Sequence, residues 1–418
     1  MILPTVELNF TSAVLDSRVT FTRTTGASNT ATYVGSDGYI ALATDNQPRF
    51  DYNPITSVCK GLLIEESKSN LTTNSAALNS WTTANCSVAA DSILSPDNTT
   101  SGDKFIADST TNVHRINSAA ATLSANTAYT ATIYAKAGGH SYLAFGFNGS
   151  GTDFICYSFD LVNGTVGQRI SAAYSSFSAS ITAMRDGWYR CSVTATTSTA
   201  NLSVSTFVGS SPNATWINAS RGFPSFTGNS LDGVFLWGAQ LEAGAFATSY
   251  IPTTSAALTR NADDALITGA NFSSFWQAGK GGVLVRALPS TVSGTRPLVQ
   301  FDDNTGNNII ALRGNTTNPE LYIVDGGAPQ AQIDAGTIAA NTAYSLTGWW
   351  AANDCKARKD SGAVVTDTTA TIPTVTQARL GSDGTNYLNG HLATINYYDQ
   401  FSSQIYTRRK NKAVFTVI

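Results

Sequence analysis

Tyr129-Thr130-Ala131-Thr132-Ile133-Tyr134-Ala135-Lys136 alternates apolar with hydroxyl or polar side chains along its length. Successive side chains of a strand point to opposite faces, so this stretch reads as a half-buried β-strand. The same style continues outward in both directions. Residues 142–147 and 154–161 follow after short Gly-rich turns, and Asn163-Gly164 carries a tight-hairpin signal. Residues 188–194, 202–208 and 234–237 extend the series. A second series covers 283–286, 297–301, 309–312, 321–324, 344–350, 363–365 and 392–398. Short strands at regular spacing, with no amphipathic helix between them, predict an all-β fold of two antiparallel β-sandwiches. Leu123-Ser124-Ala125-Asn126-Thr127-Ala128-Tyr129 returns in outline as Ile338-Ala339-Ala340-Asn341-Thr342-Ala343-Tyr344, an echo between the two series. The one helix expected starts at Ser402 or Ser403 and runs into the basic residues near the C-terminus.

The composition agrees. Of 418 residues only 13% are charged, against about 25% in ordinary soluble domains, while 42% are hydrophobic and Ser and Thr abound. A net charge of -3 leaves no basic surplus for phosphates, so nucleic acid is not an expected partner. Arg408, Arg409, Lys410 and Lys412 form one small basic cluster, read as the polar face of the terminal helix. No window approaches the roughly 18 apolar residues of a membrane helix, and the start has no secretory pattern. Five scattered cysteines without a C-x-x-C pair fit a chain made in a reducing cytoplasm, and no zinc site is expected.

Residues 1–72 are loop-rich and too short to own a large core, so they are expected to brace the first sandwich. That sandwich spans 73–265 and the second 266–418. Three acidic pairs, Glu65-Glu66, Asp263-Asp264 and Asp302-Asp303, are candidates for two-carboxylate hydrolysis. Neighbours on a strand face opposite ways, so no pair makes a site alone. Asp302-Asp303-Asn304-Thr305-Gly306-Asn307 offers oxygen ligands of the kind calcium takes, without EF-hand spacing, and reads as a polar turn. Neither a nucleophile elbow, a Walker loop nor a zinc-protease motif occurs, so no catalytic residue, metal or cofactor is assigned. Aromatic rings among amides remain. Trp216, in Asn213-Ala214-Thr215-Trp216-Ile217-Asn218, and Tyr387 with Asn389, in Gly384-Thr385-Asn386-Tyr387-Leu388-Asn389, are the glycan-binding candidates.

Three stretches resemble the structural and tail-fibre proteins of tailed bacteriophages. The first is Val19-Thr20-Phe21-Thr22-Arg23 with Ala31-Thr32-Tyr33-Val34 and Asp37-Gly38. The second is Pro48-Arg49-Phe50-Asp51-Tyr52-Asn53-Pro54 with Lys60-Gly61-Leu62-Leu63-Ile64-Glu65-Glu66 and Asn70-Leu71. The third is Trp237-Gly238-Ala239-Gln240-Leu241-Glu242 with Ser249-Tyr250-Ile251-Pro252-Thr253-Thr254 and Thr259-Arg260. Asp186-Gly187-Trp188-Tyr189-Arg190 is similar to a strand of the family's carbohydrate-binding-module-like sandwich. Leu388-Asn389-Gly390-His391-Leu392-Ala393 with Ile395 and Tyr397-Tyr398 is similar to the closing strands of laminin-G or concanavalin-like jelly rolls. Cys59, and Ser67-Lys68-Ser69, depart from the family pattern.

The resemblance implies framework rather than catalytic residues. It implies a non-enzymatic virion protein (tail fibre, baseplate or related appendage) made in the host cytoplasm, with residues 1–72 as a virion-attachment segment. Its partners would be other virion proteins, copies of itself, as a trimer, and a host-surface glycan. A head-decorating or adaptor protein without a ligand, and a glycan depolymerase, are the alternatives.

Overall fold

The computed structural model describes residues 3–24, 31–148, 154–172, 174–197, 202–211, 213 and 223–400. The chain forms two units. A C-terminal unit combines Met1–Thr22, Lys60–Glu66 and Asp263–Ile418, and a central unit combines Arg23–Cys59 and Ser67–Ala262. Residues 1–72 therefore do not act as one segment, because pieces of them enter both units. Each piece is too short to bury its apolar side alone and is used as an added strand or hairpin.

Both units are antiparallel β-sandwiches. In the central unit one sheet runs Tyr174–Ala183, Tyr189–Thr197, Ala128–Gly138, Gly233–Ala243, Thr100–Ala107 and Cys86–Leu94 in hydrogen-bonded order. The facing sheet runs Thr165–Ala172, Phe154–Asp160, Tyr142–Asn148, Leu202–Ser211, Arg115–Asn117 and Thr82–Ala84. Tyr129, Ala131, Ile133 and Ala135 take one face of their strand and meet Phe145, Phe147, Ile155 and Phe159 in the core. The period-two alternation of residues 129–136 thus places the sandwich interior.

In the C-terminal unit one sheet runs Val365–Asp367, Cys355–Lys359, Tyr344–Ala351, Lys280–Pro289 and Gly390–Tyr398. Two short N-terminal strands lie end to end along Gly390–Tyr398. Val6–Asn9 pairs with residues 394–397, while Leu62 to Ile64 pair with residues 390–392. Gly61, at φ 113°, sits where a Cβ would lie 2.0 Å from the Leu392 carbonyl oxygen, so only glycine fits this crossing. The opposing sheet runs Thr20–Thr22, Asp264–Thr268, Gln377–Leu380, Thr295–Asp302, Ile309–Asn315, Asn318–Asp325 and Ala328–Asp334.

Between these sheets the aromatic core gathers Trp276, Phe301, Trp350 and Tyr397, with ring centroids 4.7 to 6.4 Å apart. The short helix Gly269–Ser273 supplies Phe272, which stacks on Trp276 at 5.0 Å. No apolar periodicity announces five residues of helix, and the sequence reading missed it. The internal echo is turn chemistry: Asn126 and Asn341 both adopt left-handed backbone, at φ 53° and 56°. Each precedes a buried tyrosine, Tyr129 or Tyr344, in a long strand at the centre of its sheet. The expected terminal helix and the basic cluster lie outside the described residues.

Candidate functional site

Of the residues that carry the sequence resemblance, those within 31–52, 70–71 and 237–253 converge on the outer face of one central-unit sheet, while those within 19–22 and 60–66 belong to the C-terminal unit. Asn70 is fully buried and uses its whole amide. Its Nδ2 donates to the carbonyls of Ala239 (3.0 Å) and Ile251 (2.9 Å), and its Oδ1 accepts from the main-chain N–H groups of Thr72 and Leu241, both at 3.0 Å. Gln240 donates to Glu242 at 2.7 Å and accepts from the Ile251 N–H at 2.8 Å. Thr248 donates its N–H (2.9 Å) and hydroxyl (2.6 Å) to the Glu242 carboxylate. Arg49 donates to the Thr32 carbonyl and the Ser249 hydroxyl, and Thr32 in turn donates to the Tyr250 carbonyl at 2.6 Å. Tyr134, Trp237 and Tyr250 pack ring to ring beside this network. Gly238, at φ 62°, turns the chain where a Cβ would press on the Tyr134 ring at 2.9 Å. These residues are therefore clasps that tie residues 31–52, 70–75 and 237–253 together.

Burial holds the Glu242 carboxyl above its ordinary pKa, although hydrogen bonds from Thr248 and Gln240 favour its ionised form. A raised folded-state value means that the native protein keeps a proton the unfolded chain has lost. The stability from this group is complete below the unfolded value and is lost as pH rises through the folded one. Glu242→Gln removes that dependence, since a glutamine amide can donate to the Thr248 hydroxyl. Between about pH 4 and about pH 7 the denaturation midpoint of wild type is expected to fall relative to E242Q. A constant difference between the two would contradict this.

The accessible chemistry lies at one end and one face of the C-terminal sandwich. Tyr387 is half-buried in a turn closed by its bridge to Ser382 and by the Leu388 N–H donating to the Gly381 carbonyl at 2.8 Å. Arg296 donates to the Tyr387 carbonyl at 3.1 Å. Asp383 fastens the turn by accepting from the N–H groups of Thr385 (2.8 Å) and Asn386 (2.7 Å), while Ser382 reaches Asp264 at 3.3 Å. Burial, with the carboxylates of Asp264, Asp383 and Asp263 around it, pushes the Tyr387 phenol up, so it stays a neutral donor.

Beside this turn the sheet face carries a polar ladder. Asp302 accepts from Arg379 Nε (3.0 Å), Gln300 (2.9 Å), Gln377 (2.6 Å) and the Asn304 N–H (2.9 Å). On the strands that follow, Arg313 donates to Glu320 at 2.7 Å and lies 3.6 Å above the Tyr322 ring, and Gln332 donates to the other Glu320 oxygen. Alternation builds the ladder: Val299, Phe301, Ala378 and Leu380 face the core while Gln300, Asp302, Gln377 and Arg379 face away.

Of the residues expected to bind glycan, Tyr387 keeps that role open. Asn389 does not sit beside it as an exposed amide. It is 1% exposed, with left-handed backbone, and its Oδ1 accepts from the Glu66 N–H at 2.8 Å. Two residues on from Tyr387, the chain has already turned inward to begin the strand Gly390–Tyr398. Trp216 lies outside the described residues. The acidic pairs divide as a strand requires: Glu65, Asp263 and Asp302 are buried, and their neighbours are more open. Asp263 accepts from the Glu65 N–H at 2.9 Å, so that contact is a backbone clasp. Both Asp302 oxygens are occupied by protein donors, and Asp303 holds its own turn through Thr305 and Asn308. The ladder went unnoticed in the sequence because its members come from strands about 75 residues apart; the paired alternations Gln300/Asp302 and Gln377/Arg379 were its only signal.

No protein-family model matches the sequence, and no curated protein is similar to it. Among solved structures, the chain is similar to mouse laminin alpha1 domains LG4-5 at 9% identity, covering 69% of this chain and 85% of that one, with a TM-score of 0.21. It is also similar to the LG1-3 region of the laminin alpha2 chain at 11% identity, covering 66% of this chain and 63% of that one, with a TM-score of 0.24. The all-β sandwich architecture stands on the strand pairing itself.

Proposed function

We propose that this chain is a non-enzymatic structural protein of a tailed-phage virion, whose C-terminal sandwich meets a host-surface glycan through Tyr387 and the ladder beside it. One observation carries the reading: residues within 31–52, 70–71 and 237–253 that resemble phage structural chains form clasps of the central sandwich, and Asn70 has all four of its amide hydrogen bonds made there. A framework held this way supports attachment and display. The carboxylates that could have served hydrolysis hold backbone and side-chain partners instead. Tyr387 supplies an aromatic surface, and Arg379, Asn304 and Gln377 supply fixed donors and acceptors around it, which is the combination sugar hydroxyls and C–H faces require. Assembly with copies of itself and with other virion proteins belongs to the same proposal.

The test is retention on immobilised host-envelope polysaccharide. Tyr387→Ala is expected to weaken retention about tenfold, equivalent to about 1.4 kcal/mol, with the thermal transition of the protein kept. Unchanged retention of the variant would remove Tyr387 from the site.

A further inference from the structure

We propose that the free edge of the central unit, Ser178 to Ala183 in the strand Tyr174–Ala183, is where a second copy of this chain adds to the sheet. The inference rests on the self-assembly part of the proposed function and goes beyond it by naming the surface. Among the described residues Tyr174–Ala183 pairs on one side only, with Tyr189–Thr197, and ends its sheet. An open strand edge presents a row of unpaired N–H and C=O groups, and proteins ordinarily block it with charge, proline, a kink or shortness.

The other end strands of the two large sheets are blocked in those ways, and Ala121–Leu123, which pairs with Leu202–Ser211 off the main path, is three residues long. Thr82–Ala84 is three residues long. Cys86–Leu94 breaks register twice and carries Asp91 at φ 50°. Thr165–Ala172 carries Arg169, whose guanidinium covers the Phe177 ring at 4.4 Å. Tyr174–Ala183 has one irregularity, at Ser175 to Ser178 with Ser176 at φ 51°, after which its register is unbroken through Ala183. That regular part holds neither charge nor proline, and Ser178, Ser180, Thr182 and Ala183 are exposed.

The sequence of this edge favours its own copy over a different partner. Phe177, Ala179 and Ile181 pack toward the core, and Ser178, Ser180 and Thr182 occupy the outer face. Antiparallel pairing about a two-fold axis at Ser180 sets Ser178 against Thr182 of the other copy, Ala179 against Ile181, and Ser180 against itself. Hydroxyl then meets hydroxyl on the outer face and apolar meets apolar on the inner one. A slip by one residue would turn the second copy's apolar side outward, so the pattern fixes the register. The assembly is a dimer, in place of the trimer that the family resemblance implies.

Sedimentation of wild type, S180K and S180C at micromolar concentration tests this. Wild type is expected as a dimer. S180K, which sets two ammonium groups face to face across the axis, is expected as a monomer with an unchanged circular dichroism spectrum. S180C is expected to form a covalent dimer on mild oxidation, as the opposed Cα atoms of an antiparallel pair lie within disulfide range. A wild-type oligomer that S180K leaves intact, and that S180C does not cross-link, would overturn the edge assignment while self-assembly stands. A wild-type monomer would overturn both.

Discussion

Asn70→Ala is expected to destabilise the central unit by about 3 to 5 kcal/mol, among the larger effects of any single substitution. The side chain is fully buried and bonds four main-chain groups contributed by three separated stretches. Alanine leaves the carbonyls of Ala239 and Ile251 and the N–H groups of Thr72 and Leu241 without partners. Each unsatisfied buried group costs about 1 to 3 kcal/mol, and local relaxation recovers part of the sum. Asn70→Asp should fall close behind, because a carboxylate accepts but cannot donate to the two carbonyls. Thermal unfolding combined with hydrogen exchange checks both: protection should drop across residues 67–262. A loss below about 1 kcal/mol would mean that the clasp is not what holds these stretches together.

Trp350→Ala should cost the C-terminal unit a comparable amount, about 3 to 5 kcal/mol. Trp350 is fully buried, with Trp276 stacked at 5.9 Å and Phe301 at 5.8 Å. Removing the indole leaves a cavity lined by rings that cannot all move in, because strand pairing on both sheets fixes their backbones. The same exchange experiment separates this variant from the first. Faster exchange is expected in peptides from 263–400, while 67–262 stays as in wild type. Equal loosening of both units would contradict the assignment of Trp350 to one core.

These two sites differ in how far the sequence displayed them. Strands such as Ala128–Gly138 and Tyr344–Ala351 were legible because large apolar residues recur on one face, and period two survives any tertiary context. Cys86–Leu94, Thr165–Ala172 and Tyr174–Ala183 were not, since the inward side chains of these edge strands are few or only half-buried and Ser, Thr and Ala dilute their alternation. The clasp residues were visible as unusual local sequence. Their geometry was not: the partners of Asn70 lie about 170 and 180 residues away, and no local pattern encodes that distance. Tyr387 was singled out as an aromatic among amides, and it lies half-buried in its turn. Asn389 lies only two residues on in sequence, but its own left-handed backbone and the strand that begins at Gly390 bury it.

The central claim is that this protein holds a host glycan without cutting it. The most direct measurement incubates the purified chain with host-envelope polysaccharide, then follows bound protein and newly formed reducing ends or unsaturated sugars in the same sample. The account predicts retention that is lost on Tyr387→Ala and a reducing-end signal that stays at the level of the untreated polysaccharide. Steady release of new sugar ends by wild type would contradict it.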